Sequence, residues 1–427
     1  MSTLLSESEG RRNVNYLASL DFIISLSFGL IIPMFPIYVE ELGGGGLEVG
    51  ILFSSFVLTR ALLATTFGNL SDRLGRKRLI LIGSFLYSVL ALLFTVPDTW
   101  FGLIFVRAFQ GVASAMVWPV SEALVIDSSH PEKRGESMGK IVMASNLGFV
   151  IGPFVGGTLY FLADEQLGFS EAESLKFPFY FTAAIALAGA MLVWYRVTDA
   201  AAPRGTRQPL RIRGLFSPAG MDKEGSRNLR VLYANAVMEG FAFSSIGPLM
   251  VLFLMYRFDL EADAISVLIG IAMGLGVLVA FPAGKRSDRV GRKSVFVLGG
   301  YVAFIGTMLV PFGWTLWAVL LFLVMRTMAF QMASPALRAL QADIVPEGLR
   351  GRLIGMLESM MNIGAVIGAP LGGYLWDQFH QQSLGLPSPL DGAMVPFVVS
   401  GLLGLSAVSL VLLYVRETRP GTATGKS

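Results

Sequence analysis

Apolar residues in this chain gather in long uninterrupted runs rather than in amphipathic stripes or alternating strands. Twelve runs are visible, near 14–38, 47–69, 79–97, 100–126, 138–162 and 177–196, then 230–256, 264–283, 294–312, 315–342, 352–375 and 393–415. A helix crossing ~30 Å of hydrocarbon needs ~20 mostly apolar residues, which each run approaches or exceeds. A membrane barrel strand needs only ~10 residues and alternates apolar with polar positions, which these runs do not. The pattern predicts an all-α membrane protein of twelve transmembrane helices.

The segments between the runs alternate in charge. Arg11 and Arg12, the Arg73 to Arg78 turn, Lys133 and Arg134, the stretch with Arg204, Arg207, Arg211, Arg213, Lys223 and Arg227, the Lys285 to Lys293 turn, Arg350 and Arg352, and Arg416 and Arg419 fall on one side. The opposite loops carry Glu40, Glu41, Asp98, Asp164, Glu165, Glu171, Glu173, Asp259, Glu261, Asp263 and Asp377, against only Lys176 and Arg257. Basic loops stay on the cytoplasmic side, so both termini are expected there, in a multi-pass protein of the cytoplasmic (inner) membrane. The polar first residues carry no cleavage signature before the first run, and no removable signal peptide is expected.

Composition narrows the chemistry. Of 427 residues 54% are hydrophobic and 15% charged, where soluble domains hold about a quarter charged. No Cys and two His, His130 and His380, leave no disulfide, no thiolate site and too few ligands for zinc or haem. No Walker-type loop is present, so ATP is not the expected energy source. No metal, organic cofactor or nucleic-acid partner is expected. The expected partners are the lipid bilayer, protons and a small-molecule substrate, with the chain as a monomer.

An internal duplication runs through the chain at a constant offset of 216 positions. Gly68, Asp72, Arg73, Gly75, Arg76 and Lys77 recur as Gly284, Asp288, Arg289, Gly291, Arg292 and Lys293. The same shift carries Pro119 to Pro335, Asp127 to Asp343, and Gly139, Gly148 and Gly152 to Gly355, Gly364 and Gly368. Two pseudo-symmetric six-helix bundles follow, residues 1–196 and 229–427, joined by a basic connector at 197–228. Parallel repeats of this kind suit a transporter whose binding site lies between its halves.

The turn Gly68-Asn69-Leu70-Ser71-Asp72-Arg73-Leu74-Gly75-Arg76-Lys77-Arg78 needs glycine for its backbone angles, and Asp72 can pair with Arg73 or Arg76. With this loop the chain resembles the major facilitator superfamily, whose signature reads G-x-L-x-D-r-x-G-r-k. The second copy is nearly intact, with Lys285-Arg286 in place of its leucine. The resemblance implies that family's fold. It also implies a gating role for the loop, a charge network that by motif position would fall on Asp72, Arg76 and Asp127, with Asp288, Arg289 and Arg292 in the second copy.

Run five places Gly139, Gly148, Gly152-Pro153 and Gly156-Gly157 where small residues let helices approach and proline bends the axis. This spacing resembles the fifth-helix motif of drug/proton antiporters; packing alone is the plainer reading. Arg107, Gln110 and Gly111 are similar to the superfamily's R-x-x-Q-G motif, whose arginine is associated with proton coupling, and Arg326 is a looser counterpart. Pro33, Pro36 and Tyr38 resemble the P-x-x-P-x-Y ending of run one in efflux members.

Ionisable side chains inside spans mark a pathway by default, and here they are Asp21, Arg60, Arg107, Glu122, Glu239, Arg326 and Glu358. At 1.5 Å per residue Asp21 lies ~10 Å inside its run and Glu239 ~15 Å inside run seven. A carboxylate sheltered from water holds its proton more tightly and can trade it for a cation. The plainer alternative makes each carboxylate a fixed ion-pair partner of Arg60, Arg107 or Arg326. Trp118, Met116, Phe109, Phe241, Phe243, Met250, Phe330 and Met332 offer an apolar wall or ordinary helix contacts.

The function expected is proton-coupled efflux of a small lipophilic or cationic compound by alternating access. The alternatives are a symporter or uniporter for a nutrient such as a sugar or organic acid, and a non-transporting enzyme or receptor on the same scaffold. Against an enzyme stands the lack of any nucleophile or metal cluster in the spans.

Overall fold

The computed structural model describes residues 6–199, 223–344, 350–385 and 392–415, without the side chains of 280, 281, 284–288 and 350–352. Most of the basic connector, the side chains of Asp288, Arg350 and Arg352, and Arg416 and Arg419 lie outside the described residues. The described residues are helical, with no strand among them. The helices are α1 Glu7–Glu41, α2 Gly46–Leu74, α3 Arg76–Leu93, α4 Trp100–Ser128, α5 Arg134–Phe161 and α6 Glu171–Arg196. They continue as α7 Lys223–Ile246, α8 Leu249–Phe258, α9 Ala262–Val290, α10 Arg292–Leu309, α11 Leu316–Ile344, α12 Arg350–Phe379 and α13 Met394–Tyr414.

Among the described residues eleven helical segments are long and apolar enough to cross a membrane. The remaining predicted span, α3, has 18 residues and spends its first turn on Arg76, Lys77 and Arg78, which shortens its apolar stretch. Helices overrun the apolar runs because polar residues cap them. Ser6 and Glu9 close a capping box on α1, with the Ser6 N–H donating to Glu9 Oε2 at 2.9 Å, and Ser170 with Glu173 repeats it on α6. α1 runs through Pro33 and Pro36 to Glu41, so these prolines do not end the helix. Run seven instead divides at Gly247-Pro248 into α7 and α8, where proline supplies no N–H to the preceding helix.

The chain forms two compact units, Met1–Thr206 with Pro248–Ile271, and Arg207–Gly247 with Ala272–Ser427. The division of run seven thus coincides with a unit boundary. Within the first unit α5 packs on α1 through its glycines. A Cβ at Gly148 would meet Phe22 O at 2.6 Å, at Gly152 the Gly29 Cα at 2.5 Å, and at Gly156 the Leu30 O at 2.5 Å. Within the second unit Gly364, Gly368 and Gly372 of α12 press in the same way on Val237, Phe241 and Ser245 of α7. The 216-position repeat therefore reproduces one backbone-to-backbone helix contact in each unit.

Candidate functional site

Asp21 sits on α1 at 4% exposure, facing α4 and α5 of its own unit. Ser121 Oγ donates to its Oδ1 at 3.3 Å and Ser145 Oγ to its Oδ2 at 3.0 Å. Two hydroxyls accompany the carboxylate where an arginine was the alternative, and among the described residues no ion pair includes Asp21. Glu122, next to Ser121, is exposed and within electrostatic reach of Asp21.

Glu239 occupies α7 of the second unit and is half-buried. Among the described residues no hydrogen bond or ion pair satisfies its carboxylate. Arg326 on α11 donates from Nε to Thr307 Oγ1 at 2.9 Å and lies 5.9 Å from the Phe243 ring centre, and Phe243 stacks on Phe330 at 5.2 Å. Glu358 is exposed.

Arg107 is buried in α4, its Nη1 donating to Gln110 Oε1 at 2.7 Å. The first and fourth residues of the R-x-x-Q-G pattern thus bond one helical turn apart. The guanidinium lies 3.7 Å from the Phe35 ring centre, with Phe94 and Phe56 at 5.5 and 5.9 Å. Aromatic faces, rather than a carboxylate, surround this cation. Pro36 and Tyr38 follow Phe35 on α1 and are buried, Tyr38 Oη donating to Phe94 O at 3.0 Å.

The basic ends of the helices hold a second assembly. Gly75 has φ +96° and caps α3, and Gly291 has φ +111° at the start of α10, a region side chains rarely adopt. Arg76 is buried and pairs with Asp127 at 2.8 Å and with Asp72 at 3.4 Å, while Arg73 is exposed and makes no ion pair among the described residues. Arg292 pairs with Asp343 and donates to Ala339 O at 3.1 Å, and Arg289 is exposed. Gly68 and Gly139 have open space at Cβ, whereas Gly157 faces Ser266 and Asp263, and Pro153 is buried within α5.

Sequence reasoning missed the groups that tie this assembly down. Asp199 Oδ1 accepts from the N–H of Arg76 at 3.1 Å and of Lys77 at 3.3 Å, and Lys77 Nζ donates to Trp194 O at 2.8 Å. Asn13 donates to Ser128 Oγ at 2.7 Å and exchanges hydrogen bonds with the Thr198 backbone. These contacts join positions more than a hundred residues apart and leave no periodic trace. A cavity of about 420 Å³ adjoins this end, lined by residues including Gly10, Arg11, Asp127, His130 and Arg134, and it does not reach Asp21. At its rim hydrogen bonds from Lys133 and Lys140 hold Glu7 and Glu136 below the usual glutamate range.

The helices carry two copies of a basic turn and hold two carboxylates within their length, and similar proteins are known. The sequence profile of the Major Facilitator Superfamily matches residues 17–230 and 232–427. The chain belongs to this superfamily. It is a multi-pass membrane transporter, and transporters of this family take small-molecule substrates. It is 27% identical over 412 residues to multidrug resistance protein 2 of Bacillus subtilis strain 168, covering 94% of this chain and 95% of the relative. Its fold is similar to that of a bacterial homologue of the human lysosomal transporter Spinster, with a TM-score of 0.78, 16% identity and coverage of 94% and 96% of the two chains. The nucleoside transporter NupG shares the fold at a TM-score of 0.76 and 12% identity, covering 94% of this chain and all of NupG.

Proposed function

We propose that this superfamily member expels small lipophilic compounds across the inner membrane in exchange for protons, with Asp21 and Glu239 as the proton-carrying groups. The observation that carries this reading is that each carboxylate sits inside a span without a cationic partner among the described residues. A carboxylate locked to arginine would stay charged; one held by hydroxyls or by nothing can exchange its proton for a substrate. Resemblance to a multidrug resistance protein supports efflux over uptake. The repeats 1–196 and 229–427 serve as the two rocking bundles, the connector 197–228 tethers them, and both termini are cytoplasmic. The protein works as a monomer powered by the proton gradient without a cofactor.

In this scheme Arg107 and Arg326 set the field around the carboxylates without titrating themselves, since guanidinium keeps its proton. The Asp72, Arg76 and Asp127 cluster and its second copy open and close the cytoplasmic side. Small glycines along α5 and α12 let each helix slide on α1 and α7. The test is purified protein in liposomes with an acid interior. Ethidium should accumulate inside and leave when a protonophore is added. A lack of proton-driven dye movement, with substrate entering alongside protons instead, would overturn antiport.

A further inference from the structure

The first unit holds a polar and aromatic cluster that neither the carboxylates nor the gate uses. Phe28 of α1, Phe56 of α2, Trp118 of α4 and Phe149 of α5 meet ring to ring. Centroid separations are 5.2 Å for Phe28 to Phe56, 5.8 Å for Phe28 to Trp118, 6.3 Å for Phe28 to Phe149 and 6.2 Å for Trp118 to Phe149. Phe56 is buried, but Phe28, Trp118 and Phe149 keep part of their surface uncovered. Arg60, one helical turn after Phe56, lays its guanidinium 4.7 Å from the Trp118 ring centre and is itself half-exposed.

The two arginines of this unit's spans differ in a telling way. Arg107 is enclosed and bonded to Gln110. Arg60 has no hydrogen bond and no ion pair among the described residues; its guanidinium lies over the Trp118 face and within electrostatic reach of Tyr87. Stacking occupies the flat side of a guanidinium and leaves its N–H edge free, in the fork that matches a carboxylate. A cation within a span that lacks an internal counter-charge is costly, and an arriving anion relieves that cost. The neighbouring half-covered rings, inclined to one another at 46° to 70°, supply an apolar lining against which an aromatic system can pack face or edge.

We propose that Arg60, Trp118, Phe28 and Phe149 form a subsite for planar aromatic compounds that bear a carboxylate. The inference rests on the transport reading above and adds planar aromatic acids and zwitterions to the lipophilic compounds it names. Arg60 is the specificity-determining group, and the rings supply affinity without regard to charge.

The probes are 2-naphthoate and its uncharged analogue 2-naphthamide, titrated calorimetrically into the detergent-solubilised full-length protein. The wild type should bind the naphthoate about tenfold more tightly than the amide, the weight of one charge-assisted pair. Arg60→Gln should remove that preference, weakening the naphthoate about tenfold while the amide changes less than about twofold, and Arg60→Lys should keep part of it. Equal binding of the two probes by the wild type overturns the proposal without any variant having to fold. So does an equal loss of both probes in Arg60→Gln. Ethidium movement in acid-inside liposomes separates the two ideas: dye uptake without naphthoate preference sinks only this subsite. Naphthoate preference without proton-driven dye movement upholds the subsite and sinks antiport.

Discussion

Arg76 Nη1 lies 2.8 Å from Asp127 Oδ2, and 216 positions further on Arg292 pairs with Asp343 in the same way. The two copies differ in burial: the first pair's side chains are 9% and 8% exposed, the second's 27% and 25%. Stranding one member of a buried pair costs about 3–5 kcal/mol, whereas solvent-screened pairs contribute about 0–1 kcal/mol. Arg76 retains Asp72, which places Asp127→Asn near the lower bound. We expect this variant to lose about 3 kcal/mol of stability and to slow transport more than Asp343→Asn does. Thermal unfolding in detergent and dye flux in liposomes measure both. The swapped double variant Arg76→Asp with Asp127→Arg should recover part of the loss. Equal effects at the two copies would show that burial does not set their weight.

The glycines of α5 and α12 make a controlled comparison. A Cβ at Gly152 would come within 2.5 Å of backbone on α1, and one at Gly368 within 2.4 Å of backbone on α7. Backbone cannot rotate away as a side chain can, so Gly152→Ala and Gly368→Ala should each cost about 1–3 kcal/mol through overpacking. Gly139 and Gly355 belong to the same sequence motif but have nothing within 4 Å of the added atom. There alanine should be neutral or stabilising by up to about 1 kcal/mol, through helix propensity. Thermal unfolding of the four variants checks this. Uniform destabilisation would mean the motif acts through something other than contact with α1 and α7.

Asp21→Asn preserves the size of the side chain and its contacts with Ser121 and Ser145 but removes the titrating proton. Proton-driven dye uptake should fall at least about tenfold, the scale of losing one proton-transfer group. Exchange of labelled for unlabelled dye at equal pH should continue, because it needs no net proton movement. Glu239→Gln should behave alike. A variant that loses both activities together would assign its carboxylate to structure or substrate binding instead.

The fold was readable in the sequence because membrane spans advertise themselves by length, and because the 216-position repeat places the gate and the glycine stripe twice. What a run of apolar letters does not carry is the direction a side chain faces. Hence Arg60, Arg107 and Arg326 stood as partners for Asp21 and Glu239, while the structure gives Asp21 two serines and gives Arg107 a glutamine and three phenylalanines. The division at Gly247-Pro248 was hidden because the apolar run continues across it. Phe28, Phe56 and Phe149 carry no spacing that singles them out, and only the meeting of four helices brings them together with Trp118.

Asp199 offers the sharpest test of how the proposed gate is held. Its Oδ1 accepts from two consecutive N–H groups at the start of α3, which follow Gly75 and so have no side-chain cap of their own. An acidic group in this place satisfies otherwise unpaired donors and meets the positive end of the helix dipole. The capped helix begins with Arg76, the residue that reaches Asp127, so loosening the cap should loosen that ion pair. Asp199→Ala should cost about 1 kcal/mol, the usual loss for an absent cap. It should also raise hydrogen exchange at the Arg76 and Lys77 amides. Asp199→Asn keeps an acceptor and should lose less than half as much. In a background already carrying Asp127→Asn, Asp199→Ala should add less to the transport defect than it does alone, because the ion pair it supports is gone. Full additivity in that double variant would separate the cap from the gate.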